Sequence, residues 1–227
     1  MTTVLRSSCE SESAGTEKVK EMRPIHLLAW LFLSIWLSAC ASFQAAGDIA
    51  HGRQALFQGN NQAALGYFQA AEQVDPAYVY GTELRQGVLS YLGRAQYLTG
   101  NYAQARSTLE TALSQNQSDN IARLYLGLTL ARQGETQKAL PDIDGGMKGI
   151  YDLLNYITDT FRFGYGEFWD PGRDIRSAIE KNRAVMASGK IDWPTLIADG
   201  ESIALKTERE SDEARQNRRR QQSLLAD

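Results

Sequence analysis

Residue types able to do covalent or metal chemistry are scarce in this chain: two cysteines, Cys9 and Cys40, and two histidines, His26 and His51. That supply builds neither a disulfide framework nor a Cys/His zinc site. Carboxylates offer one cluster, Glu167, Asp170 and Asp174, and two carboxylates flanking a glycosidic bond can cleave it. Their neighbours assign them other work. Asp170 precedes Pro171 as an N-cap precedes an N1 proline, opening a helix that reaches Ser188 and stops at Gly189. Asp174 falls in that helix's first turn, where acids are favoured. His51 has no evident partner for general-base work. The sequence therefore points to no catalytic residue, no metal and no cofactor.

Cys40 stands apart because of what precedes it. Residues 27–37 read Leu-Leu-Ala-Trp-Leu-Phe-Leu-Ser-Ile-Trp-Leu, an apolar run of 11. At about 1.5 Å per residue this covers roughly 16 Å, about half of a bilayer core of roughly 30 Å. The run follows Met22-Arg23-Pro24, a short basic segment, and ends at the small residues Ser38 and Ala39, the pattern of a secretory signal. The junction Leu37-Ser38-Ala39-Cys40 resembles the lipobox of bacterial lipoproteins. The resemblance implies cleavage between Ala39 and Cys40, a lipid-modified Cys40 as first mature residue, and, with Ala41 next, sorting to the outer membrane facing the periplasm. Residues 1–21 are polar, and a start at Met22 leaves a compact signal. A reading in which the apolar segment runs to Phe43 as an uncleaved anchor stays open.

Behind the tether 40–44 a fixed period governs the chain. Gly, then Gly seven residues on, then Ala five further, recurs at Gly52/Gly59/Ala64, Gly93/Gly100/Ala105 and Gly127/Gly134/Ala139. The last two sets are 34 residues apart and the first two 41. Here the chain resembles the tetratricopeptide repeat family, with repeats at 45–78, 86–119 and 120–153. Phe68 and the closing Asp75-Pro76 support the first, and Leu92, Tyr102 and Ala112 the second. Leu126 supports the third, whose second helix is expected to be weak because it holds Pro141 and Gly145-Gly146. The resemblance implies an all-α, right-handed superhelix in which the first Gly and the Ala sit where paired helices press together and the second Gly turns the chain. The seven extra residues before the second repeat are expected to lengthen its first helix from Glu83, capped by Thr82.

Past Gly149, Ile150, Leu153, Leu154 and Ile157 keep helical spacing. Residues 154–207 are expected to form an aromatic loop, 161–169, followed by capping helices. The last of these is capped by Asp192 and has an inner stripe of Trp193, Leu196, Ile197, Gly200, Ile203 and Ala204. Residues 208–227 read as a polar tail that projects.

An array of this kind offers binding surface on its concave side. Carried over from the family, the groove positions are Arg53, Leu56, Phe57, Arg94, Tyr97, Leu98, Leu128 and Arg132, arginines set among apolar and aromatic side chains, suited to carboxylate-bearing segments. An alternative site for a glycan is Tyr165, Phe168 and Trp169. With 24 basic and 27 acidic residues the net charge is −3, so no general attraction to nucleic acid is expected. The combined reading is a lipid-anchored envelope scaffold that binds other envelope proteins or peptides. The tether Ala41–Gln44 reaches only about 14 Å at roughly 3.5 Å per residue, holding the groove close to the membrane.

Overall fold

A computed structural model describes residues 24–162 and 164–224, with side chains for 41–162 and 164–223. The chain divides into two units at Ser38/Ala39, and the helical array belongs to the second. The leader before Pro24 lies outside the described residues. At the Ala39–Cys40 junction the backbone is helical, while the side chains lie outside them. Among the described residues no helix is long and apolar enough to cross a membrane.

Three helical hairpins follow one another: α1 (Pro24–Phe57) with α2 (Asn61–Val74), α3 (Val88–Leu98) with α4 (Tyr102–Gln115), and α5 (Asn120–Arg132) with α6 (Thr136–Thr160). One turn geometry closes all three. Gly59, Gly100 and Gly134 take φ of 75°, 82° and 83°. The following amide bonds back to the helix it leaves, Asn60 N to Ala55 O at 2.9 Å, Asn101 N to Gln96 O at 2.8 Å and Glu135 N to Leu130 O at 2.9 Å. This is the Schellman closure, in which a left-handed residue lets the chain satisfy the last carbonyls of a helix. Within each hairpin the first glycine faces the residue sixteen positions on. A Cβ there would overlap the Phe68 ring at Gly52, the Leu109 side chain at Gly93 and the Ile143 amide at Gly127. Ala64, Ala105 and Ala139 have no exposed surface.

The expectation of a weak second helix in the third hairpin is corrected. Helix α6 is continuous over 25 residues with Pro141 inside it. Its glycines serve the packing. A Cβ on Gly146 would lie 2.6 Å from the Leu124 amide, and one on Gly149 would overlap the Asn120 side chain. The backbones of α5 and α6 meet at distances no larger side chain permits, and this close packing offsets the helix propensity lost.

The extra residues before α3 do not extend it. They form a small antiparallel hairpin, β1 (Val79–Tyr80) and β2 (Gln86–Gly87), with Val79 opposite Gly87 and Tyr80 opposite Gln86. Gly81 turns it at φ 93°, and the β-branched and aromatic pair before it suits extended backbone.

After a 3-10 turn at Tyr165–Phe168 come α7 (Asp174–Ser188) and α8 (Trp193–Leu224). Helix α7 starts three residues beyond Pro171, because Asp170 and Arg173 adopt left-handed conformations, φ 44° and 57°. Asp170 still caps it, across the turn. Its carboxylate accepts from the amides of Ile175 at 2.9 Å and Arg176 at 3.1 Å and from Arg176 Nε at 2.9 Å.

The projecting tail is corrected over its first two turns, to Ala214, while residues 218–223 are exposed. Helix α8 is one helix of 32 residues. Its inner stripe passes through Ala204 without a break into Thr207, Glu208, Ser211 and Ala214, none more than 2% exposed. Small and polar residues continue the apolar spacing, and helix α8 lies against α5, α6 and α7.

Candidate functional site

The groove positions converge, and α8 fills the space between them. Arg94 on α3 pairs with Glu208, whose Oε1 also accepts from Gln86 Nε2 at 3.0 Å. Arg53 on α1 lies with Nε 3.9 Å from Glu208 and donates through Nη1 to Asp212 at 3.1 Å. One helical repeat further on, Tyr97 donates to Glu201, and Arg132 reaches the same oxygen from Nη2 at 3.2 Å and the Tyr97 hydroxyl from Nε at 3.2 Å. Leu128 is fully buried and sits over Gly200, where a Cβ would come within 2.9 Å of it. Leu56 is buried and Leu98 partly so. Together with Arg94 and Glu201 they line a residual cavity of about 320 Å³. Phe57 is partly exposed under the guanidiniums of Arg53 and Arg209, 5.4 and 5.6 Å from its ring.

The electrostatics reflect this enclosure. Burial raises the pKa of a carboxyl, but Arg94 and Arg53 outweigh it and hold Glu208 below the usual range. Burial and the neighbouring Glu201 push the Tyr97 hydroxyl up against the opposing pull of Arg132. Asp119, the N-cap of α5, accepts from the Ala122 amide at 2.9 Å, yet burial pushes its carboxyl up to about 6. The three arginines pair with carboxylates of α8, Arg53 with Asp212, Arg94 with Glu208 and Arg132 with Glu201.

Sequence reasoning missed the occupant of the groove. The signal was present in Glu201, Glu208 and Asp212, spaced seven and four on the face that Leu196 to Ala204 had already marked as inner.

The aromatic loop packs inward. Trp169 has no exposed surface and meets Tyr165 edge-on at 6.0 Å, which leaves it no face open to a sugar. Phe168 is partly buried, and Tyr165 lies under Arg218, 5.2 Å from its ring. Of the acidic cluster, Asp170 is committed to capping α7, and Glu167 and Asp174 are exposed. Among the described residues no three His, Cys, Asp or Glu side chains are placed to hold a metal ion.

An open cleft remains on another face, between the β1–β2 hairpin and α6. Two adjoining cavities, about 720 and 440 Å³, share Glu83, Leu153 and Tyr156. Val79, Tyr156 and Phe161 rim them at 40%, 61% and 44% exposure.

Helical hairpins stacked in series, crossing on glycine and alanine, define an all-α helical-repeat fold of the tetratricopeptide type. A family model described as tetratricopeptide repeat matches residues 92–144, from within α3 to within α6. The hairpin of α1 and α2 lies before the match and carries the same glycine turn and the same buried alanine. No curated protein and no solved structure gives a significant match. Repeats of this family generally mediate contacts between proteins and typically act as non-catalytic scaffolds.

Proposed function

We propose that the protein is a membrane-tethered adaptor of the bacterial cell envelope. In this reading it holds a segment of a partner envelope protein in the cleft between the β1–β2 hairpin and α6. The observation that carries the proposal is the distribution of apolar surface. The exposed large apolar side chains among the described residues are Phe43, Tyr67, Val79, Tyr156 and Phe161, and three of them rim one cleft while α8 occupies the concave groove. Exposed apolar side chains gathered around a cavity with a polar rim mark an interaction site, and a protein segment is the occupant that suits a repeat scaffold. Of the carboxylates lining the larger cavity, Glu83 lies 3.8 Å from Arg218, Asp152 pairs with Lys148 and Asp119 is a buried cap, so the occupant is a segment selected by an apolar or aromatic anchor. A lipid on Cys40 supplies the tether, to the outer membrane on its periplasmic side.

The test combines a photo-crosslinking residue at position 156 in intact envelopes with a control at Tyr67, which is exposed on α2. A partner crosslinked only from position 156 then provides a synthetic peptide spanning the linked site. Binding of that peptide should weaken by about tenfold or more in the variant Tyr156→Ala with Phe161→Ala, the usual cost of removing an aromatic anchor pair. Equal crosslinking from both positions, or unchanged peptide binding in the double variant, would remove the cleft from the argument. Palmitate labelling lost in Cys40→Ser tests the tether separately.

A further inference from the structure

The seam between the end of α1 and the last turns of α8 sets beside Arg53 two further arginines, Arg215 and Arg219, that neither the groove contacts nor the cleft accounts for. A cavity of about 300 Å³ lies there, lined by Arg53, Phe57, Tyr80, Asp212, Arg215 and Arg219 among others. Tyr80 is its floor. The guanidiniums of Arg53 and Arg215 stack on the ring at 4.8 and 5.2 Å, and the hydroxyl accepts from both, at 3.2 and 3.4 Å. Asp212 is the one carboxylate lining the cavity, and its Oδ1 serves both Arg53 at 3.1 Å and Arg215 at 2.6 Å. Glu208, the other acid near Arg53, is taken up by Arg94. Arg219 makes no ion pair among the described residues.

Three arginines, the buried Arg53, the half-buried Arg215 and the exposed Arg219, therefore line the cavity against one carboxylate, Asp212, an excess of two positive charges among its lining residues. Arg53 is 4% exposed, and its Nε makes no hydrogen bond, its nearest carboxylate oxygen, on Glu208, being 3.9 Å away. A buried donor without a partner is costly, and the Arg53 guanidinium, buried against the Tyr80 ring, cannot turn away to find water. A tetrahedral oxyanion presents several acceptor oxygens to such planar forks at once, the geometry in which arginine outperforms lysine.

We propose that this seam is a phosphate-binding site, taking a ligand whose phosphate group bridges Arg53 on α1 to Arg215 and Arg219 on α8. The phosphate replaces the missing negative charge, and Phe57 and Tyr80 flank whatever carries it. Its source is either a soluble phosphate compound or the headgroup of an anionic lipid. The site rests on contacts within one unit of the chain and is independent of what the cleft binds.

Isothermal titration of the full chain in neutral detergent, at constant ionic strength, tests it with two probes. One is inorganic phosphate, and the other is dihexanoyl phosphatidylglycerol kept below its micelle-forming concentration. The expected result is saturable one-site binding of at least one probe. It should weaken about tenfold in Arg219→Gln, an exposed position whose loss leaves helicity intact, and more in Arg215→Gln with Arg219→Gln. Binding of phosphate alone assigns a soluble ligand, and binding of the lipid, with or without phosphate, assigns a headgroup. No saturable binding of either probe, or equal affinity in the double variant, overturns the site.

Discussion

Arg94 and Glu208, 114 residues apart, form an ion pair whose side chains are 2% and 0% exposed. The pair fastens α8 to the second helical hairpin at the middle of the groove, with Tyr125 beneath the guanidinium at 5.2 Å. It converts the concave face of the array from an open surface into an internal interface.

Breaking that pair on one side should be severe. Glu208→Gln leaves Arg94 and Arg53 buried against a neutral amide, and loss of one partner of a buried pair costs about 3–5 kcal/mol. Urea denaturation followed by circular dichroism should show a midpoint shift of that order. Replacing both Arg94 and Glu208 by methionine should recover much of the loss, because two apolar side chains leave fewer unpaired charges behind. Equal damage from the single and the double replacement would mean that the pair does not lock α8.

The same ion pair shows how far the sequence can be read. The three hairpins were legible because their cause is steric and local: a glycine opposite Phe68, Leu109 or Ile143 and a left-handed turn seven residues later leave a mark in one-letter code. The arginines and Tyr97 were legible as groove residues through the family resemblance alone. The helix that fills the groove was not. Helix α8 binds through Glu201, Glu208 and Asp212, and a charged residue at an inner position reads as solvent-facing until its partner, more than a hundred residues away, is known. Two local judgements failed in a related way. Pro141 and the Gly145-Gly146 pair weaken a helix in isolation, but the approach of α5 to Gly146 outweighs propensity. Asp170 was recognisable as a cap, yet its left-handed φ moved the helix start to Asp174.

Glycines of the two kinds should respond in opposite directions to alanine. At Gly127 a Cβ meets the Ile143 amide at 2.6 Å and at Gly146 the Leu124 amide at 2.6 Å, backbone that cannot step aside. Either substitution should destabilise by about 1–3 kcal/mol, the usual range for overpacking. Gly66, exposed within α2, has nothing within 4 Å, so Gly66→Ala should stabilise by about 0.5–1 kcal/mol through helix propensity alone. Thermal melts of the three variants check the sign, and a stabilised Gly146→Ala would contradict the close approach of α5 and α6.

Glu208 also sets an acid limit on the fold. Its carboxyl is held below its ordinary value of 4.5 by Arg94 and Arg53 despite burial. The stability it contributes is present above that value and is lost as pH falls through the lower folded value. The variant with methionine at both 94 and 208 lacks this carboxyl, so its stability should fall less steeply below pH 4.5 than that of the native chain. Denaturation midpoints of the two proteins across about pH 3–5 supply the comparison, and parallel curves would count against the lowered carboxyl.

Asp119 should act in the opposite sense. Burial lifts its carboxyl from 3.8 to about 6, so folding favours the protonated form. The associated stability is full below the unfolded value and is lost as pH rises through the folded one. Between about pH 4 and pH 6 the native chain therefore gives up stability at this residue, up to about 3 kcal/mol for a shift of about two units. Asp119→Asn keeps a side-chain oxygen for the Ala122 amide and removes the charge. The variant should match or fall below the native chain at about pH 4 and exceed it at about pH 7, so that the two stability curves cross within this window. If they stay parallel throughout, the buried cap does not titrate there, and the carboxylate is already satisfied by the amides it faces.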